Sequence, residues 1–139
     1  GYRGVHEDMK DMLFQNYQNK VQEQLIRNRS ILDILSKYQD AVAKVNRSVV
    51  KAATSCGCIE IHAKKQEIPE DVSLATLADY MDSHITGSLC PHCRSVIEAE
   101  LGNQLFYMAS LANTLDLSLY DIILEEEKKM SALGKYQLR

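Results

Sequence analysis

The sequence predicts an all-α fold, a bundle of four to five helices with short connections. Three observations lead there. Apolar residues recur every three or four positions over long stretches, which is the helical period. Turn formers are scarce, with two prolines and six glycines in 139 residues. No run alternates apolar and polar residues for long enough to make a strand of useful length. Apolar residues make up 45% of the chain, enough to build a core without help from a ligand.

The first helix is read from Met9 to Arg27, where Leu13, Phe14, Tyr17, Val21, Leu25 and Ile26 form a stripe. Asn28, Arg29 and Ser30 interrupt it. Ser30 reads as a helix cap, with Asp33 three residues on in the manner of a capping box. The stripe resumes through Ile31, Leu35, Tyr38, Val42, Val45 and Val49 to Ala52 and Ala53. This is a second helix, or the continuation of one long bent helix. Thr54, Ser55 and Gly57 end it.

Residues 59–72 begin with the β-leaning piece Ile59-Glu60-Ile61-His62 and then read as a loop. Ser73 reads as a cap for a short stripe of Leu74, Leu77, Tyr80 and Met81, with Gly87 as its stop. From Arg94 the helical period returns with Val96, Ile97, Leu101, Leu105, Met108, Leu111 and Leu115. Ser118 is a candidate cap for the last helix, which carries Leu119, Ile122, Ile123 and Met130 and is expected to end near Gly134.

Length sets one domain over residues 1–139 as the prior. Residues 1–8 stand outside this reading as a tag remnant or a disordered segment, with Met9 as a native start. The formal net charge of −3 gives no reason to expect a nucleic-acid partner. No apolar run approaches the roughly 18 residues of a membrane span, and no secretory signal is visible. A cytoplasmic protein is expected.

All four cysteines fall in two close pairs, Cys56-Gly57-Cys58 and Cys90-Pro91-His92-Cys93. In a reducing compartment, paired cysteines are more often metal ligands than disulfides. Four thiolates about 2.3 Å from a metal make a tetrahedral zinc site. A Cys-x-x-Cys turn opening a helix presents two sulfurs, and Gly57 permits the tight backbone that lets Cys-x-Cys present two more. The expected metal ligands are therefore Cys56, Cys58, Cys90 and Cys93, holding a structural Zn²⁺. The clasp region is residues 55–93, and it joins the end of one helix to the start of another. His62 and His92 are spare candidates that would replace a cysteine or support one. A structural disulfide is the plain alternative.

Cys90-Pro91-His92-Cys93 also resembles the active-site motif of the thioredoxin-fold disulfide oxidants. That resemblance implies a thiol–disulfide redox protein using Cys90 and Cys93. It requires a strand before the motif and a βαβ unit around it. Asp82 to Leu89 does not read as a strand, and the chain offers no sheet.

The run Glu98-Ala99-Glu100-Leu101-Gly102-Asn103 leads through Leu111-Ala112-Asn113-Thr114-Leu115-Asp116-Leu117 into Tyr120-Asp121-Ile122-Ile123 and Glu125-Glu126-Glu127. Over about residues 96–135 this resembles the MazG-like all-α nucleoside triphosphate pyrophosphohydrolases. The resemblance implies paired carboxylates on two facing helices that hold Mg²⁺, which grips the triphosphate and activates water. Glu100 matches the motif glutamate, and Asn103 stands where the motif has aspartate. The earlier helix of the family supplies Glu-x-x-Glu. The matching stretch here, Gln39 to Lys51, has no glutamate and puts Ala43 or Lys44, then Arg47, at those positions.

Lys44, Arg47 and Lys51 instead share one helical face and are candidate contacts for a phosphate or an acidic partner. The expected function is a zinc-stabilised, non-catalytic nucleotide- or protein-binding module. An active metal-dependent pyrophosphohydrolase using Glu100 and Asn103 with Mg²⁺ is the alternative. A homodimer or higher oligomer is expected, with Leu13, Phe14, Tyr17 and Val21 as its contact surface.

Overall fold

The computed structural model describes residues 2–25 and 30–137, with side chains over 12–25 and 30–133. Among the described residues, five α-helices appear in order with one small sheet between them. They are α1 (Tyr2–Gln24), α2 (Ile31–Lys51), α3 (Leu74–Leu77), α4 (Pro91–Thr114) and α5 (Leu119–Gln137). The expected interruption at Asn28 and Arg29 lies outside the described residues. On either side of it the chain forms two helices. Ser30 holds the cap position of α2 in extended conformation without a side-chain cap bond. Its carbonyl accepts the first helical bond from the Ile34 N–H at 3.0 Å. Asp33 reaches forward to Lys37 at 3.1 Å rather than back to the cap.

The expectation of no sheet is corrected. Ile59–Ile61 (β1) and Ile85–Gly87 (β2) pair antiparallel, with Ile59 opposite Gly87 and Ile61 opposite Ile85. Three residues per strand are too few to print an alternating pattern in a sequence. Gly87 therefore ends no helix. It lies in β2 with φ +84°, and a Cβ there would stand 2.5 Å from the Cys58 carbonyl oxygen. Of the stripe expected there, only Leu74–Leu77 form a helical turn (α3), and Leu74, Tyr80 and Met81 stay exposed. The helix expected from Arg94 starts three residues earlier, because Pro91 at its first position needs no N–H partner. Helix α5 runs past Gly134 to Gln137.

Among the described residues the long helices make two small cores. α2 packs along most of α4 in the most extensive helix pair. Its buried Ile34 and Ala41, with buried Ala52 just past its end, lie at the helical spacing that puts them on one side. At the clasp end, Ala52 and Ile59 pack with Cys93 and Ile97. At the other end, Val21 of α1 and Leu25 just past its end pack with Ala109, Ala112 and Leu119. Val21, expected in a dimer contact, is thus consumed within the chain. The α4–α5 corner turns through Asp116 at φ +56°, and the Asp121 N–H donates to Ser118 Oγ at 3.2 Å as the cap reading expects.

Candidate metal centre

Two local structures carry the cysteines. The last turn of α2 widens into a π-type turn over Ala52–Cys56, and the Gly57 N–H donates to the Ala52 carbonyl at 2.9 Å to close it. Gly57 sits at φ +81°, a left-handed conformation that reverses the chain and sends Cys58 back towards the helix end. Cys58 then leads into β1. The second pair opens α4. Cys90 is its cap residue, and the Cys93 N–H donates to Cys90 Sγ at 3.4 Å. The antiparallel β1–β2 ladder runs from one cysteine segment to the other and holds them side by side. The missing side chain at Gly87 lets the strands close against the Cys58 backbone.

The four Sγ atoms all lie within 4.8 Å of one another, with Cys56 and Cys90 at 3.8 Å. A tetrahedron with arms of about 2.3 Å has edges of about 3.8 Å, so the spacing suits a single tetrahedral ion. The cysteines are all free thiols, graded from exposed Cys56 to buried Cys93. The Cys93 N–H and neighbouring thiols hold the Cys90 thiol down at about 7. Burial, followed by hydrogen bonding from Cys90, pushes the Cys93 thiol up to about 12. A thiolate at buried Cys93 therefore needs a cation beside it. The group can hold a metal ion, and its all-sulfur donor set fits a soft or borderline one.

Neither histidine joins this group. His62 is exposed and meets Glu60 at 2.9 Å. His92 projects from the first turn of α4 into a cleft beside the cysteines. That open cleft, about 540 Å³, lies between α2 and α4 and brings Lys44, Arg47 and Lys51 together with Glu100. Lys44 is tied to Asp40 at 3.0 Å. Its pKa is raised by that hydrogen bond, with a smaller contribution from Glu100. Arg47 and Lys51 make no ion pair among the described residues. Asn103 is exposed and is not among the residues of the cleft wall. Among the described residues, the cysteines are the one cluster of three or more Cys, His, Asp or Glu ligand atoms. No group of three or more carboxylates gathers around Glu100 among the described residues.

The wide turn at Ala52–Cys56 and the approach at Gly87 escaped the sequence reading. The glycine was visible there, but its neighbour lies 29 residues earlier. No described helix is long and apolar enough to cross a membrane. Compared with protein-family models, curated proteins and solved structures, the chain matches none.

Proposed function

We propose that the protein is a zinc-clasped helical binding module with no catalytic metal. One observation carries this reading: the end of α2 and the start of α4 bring four thiol sulfurs within the span of one tetrahedral ion. Zinc fits four thiolates because it is borderline-soft and imposes no other geometry. Held there, it fixes the spacing of α2 and α4 and so the shape of the cleft between them. Arg47 and Lys51 supply the contacts for the phosphate of a nucleotide or the acidic group of a protein ligand, with Lys44 beside them. The location expected for such a protein is the cytoplasm, and it acts as a homo-oligomer, dimer or higher.

Cobalt replacement reads the centre directly. The reconstituted protein is expected to give the intense ligand-field bands of a tetrahedral thiolate site, lost in Cys56→Ser. The weak spectrum of an octahedral oxygen site contradicts the clasp. For the cleft, Arg47→Gln with Lys51→Gln is expected to weaken nucleotide or acidic-peptide binding at least about tenfold, a loss of about 1.4 kcal/mol.

The MazG-like pyrophosphohydrolase remains the alternative, carried by the Glu100 motif. Pyrophosphate release from a nucleoside triphosphate with Mg²⁺, abolished by Glu100→Gln, would establish it. The surroundings of Glu100 favour the binding module, since its cleft neighbours are cations rather than carboxylates. The thiol–disulfide reading draws support from the low Cys90 thiol. Against it stands an antiparallel two-stranded sheet in place of a βαβ unit among the described residues. Catalysed insulin reduction by the metal-free protein would revive it.

A further inference from the structure

The four clasp sulfurs match as metal ligands but differ as targets. Cys56 is exposed, Cys58 and Cys90 are half-buried, and Cys93 is buried. Cys56 also borders the open cleft between α2 and α4, about 540 Å³ of space that admits a small molecule from solvent. Cys93 reaches the same wall but is only 8% exposed. A reagent entering the cleft therefore meets the Cys56 sulfur first, and oxidation of cysteine follows thiolate character and exposure.

Its bonding partner is set by geometry. Cys56 Sγ lies 3.8 Å from Cys90 Sγ on the facing segment. Cys58 Sγ is turned to the Ala52 carbonyl oxygen, at 3.8 Å. Cys93 is packed among Ala52, Ile59 and Ile97. A disulfide bond is about 2 Å long, so Cys56 and Cys90 need only a short approach. Both stand at helix ends, where such a movement disturbs little: Cys56 closes the wide turn after α2, and Cys90 is the cap residue of α4.

We propose that Cys56 is an oxidation site for hydroperoxides, and that its reaction links it to Cys90 and unloads the metal. This rests on the zinc clasp proposed above and adds a reaction at one of its ligands. The Cys56 sulfur gives an electron pair to one oxygen of hydrogen peroxide. The S–O bond forms, the O–O bond breaks, and the other oxygen leaves as hydroxide and takes up a proton. The Cys90 thiolate then attacks the Cys56 sulfur. The S–S bond forms, the S–O bond breaks, and the second oxygen leaves as hydroxide and takes up a second proton. Two thiolates have then lost two electrons, and one peroxide with two protons has become two waters. Cys58 and Cys93 remain as thiols, two short of the four ligands of a structural zinc site, and cannot retain the ion. The new disulfide ties the end of α2 to the start of α4 where the metal did, and the β1–β2 ladder ties them as before. Oxidation therefore releases zinc without unfolding the helices.

The test is a titration of the full, zinc-loaded chain with hydrogen peroxide. A chromogenic zinc chelator reports release, and tandem mass spectrometry maps the disulfide in the product. About one zinc is expected to appear per disulfide formed, with Cys56 linked to Cys90 and with Cys58 and Cys93 recovered as free thiols. Helical circular dichroism is expected to stay, and dithiothreitol with added zinc is expected to restore the loaded chain. A loaded chain that keeps its zinc and all four thiols, under peroxide that oxidises free glutathione, overturns the inference and leaves the clasp standing. Zinc release with Cys90 linked to Cys93, or with loss of the helical signal, does the same. A chain that takes up no zinc before any peroxide is added overturns the clasp and the inference together.

Discussion

Gly57 and Gly87 both have positive φ, yet they serve different ends. A Cβ at Gly57 meets nothing within 4 Å, so only the backbone conformation penalises a side chain there. Gly57→Ala is expected to cost about 1 kcal/mol in denaturant unfolding. At Gly87 the added Cβ also lands 2.5 Å from the Cys58 carbonyl. Gly87→Ala should cost about 2 kcal/mol or more and pull the two cysteine segments apart. Equal losses at the two sites would contradict this account of Gly87. Gln18 is a second residue whose role depends on the fold. It is buried in the angle between α1 and the α4–α5 corner. Its Nε2 donates to Asn113 Oδ1 at 2.8 Å and to the Leu117 carbonyl at 2.7 Å, and its Oε1 accepts from the Leu119 N–H at 2.9 Å. Gln18→Ala leaves that buried N–H unpaired and should cost about 2 kcal/mol. Neither role was legible in the sequence. A glutamine between apolar residues reads as a solvent-facing position, and a glycine does not declare what approaches it. The cysteines were legible, because ligand chemistry constrains residue type and local spacing together.

The elements that sequence captured are the long ones. α2, α4 and α5 each repeat their apolar period over several turns, and the period survives local interruptions. Capping was read less well. Ser118 bonds the Asp121 N–H, whereas Ser30 holds its position without that bond, a choice of rotamer that no sequence states. The three-residue strands were missed for want of length, and their pairing across 23 intervening residues has no local signal. That pairing matters at this scale, because the sheet and the metal are two separate ties between the end of α2 and the start of α4. Cys56→Ser should remove the metal and lower the thermal midpoint by about 5 °C or more. The β1–β2 pairing should persist, with protected amides at the strands. Loss of helix throughout α2 and α4 would instead make the metal the nucleus of the whole fold.

At the scale of the molecule, the pairing of α2 with α4 opens a charged cleft on one side of the pair. The helical period gave the basic row before any coordinates, since Lys44, Arg47 and Lys51 share one face. What sequence could not supply is which helices pair, and so which rows face each other across a cleft. Pairing α2 with α4 surrounds Glu100 with cations, and it is this arrangement that favours a binding module over hydrolysis. Native mass spectrometry of the purified protein reads the zinc ion held by Cys56, Cys58, Cys90 and Cys93. About one zinc per chain is expected, retained on dilution and lost in Cys56→Ser. A chain that carries no metal and whose four thiols all react freely would contradict it.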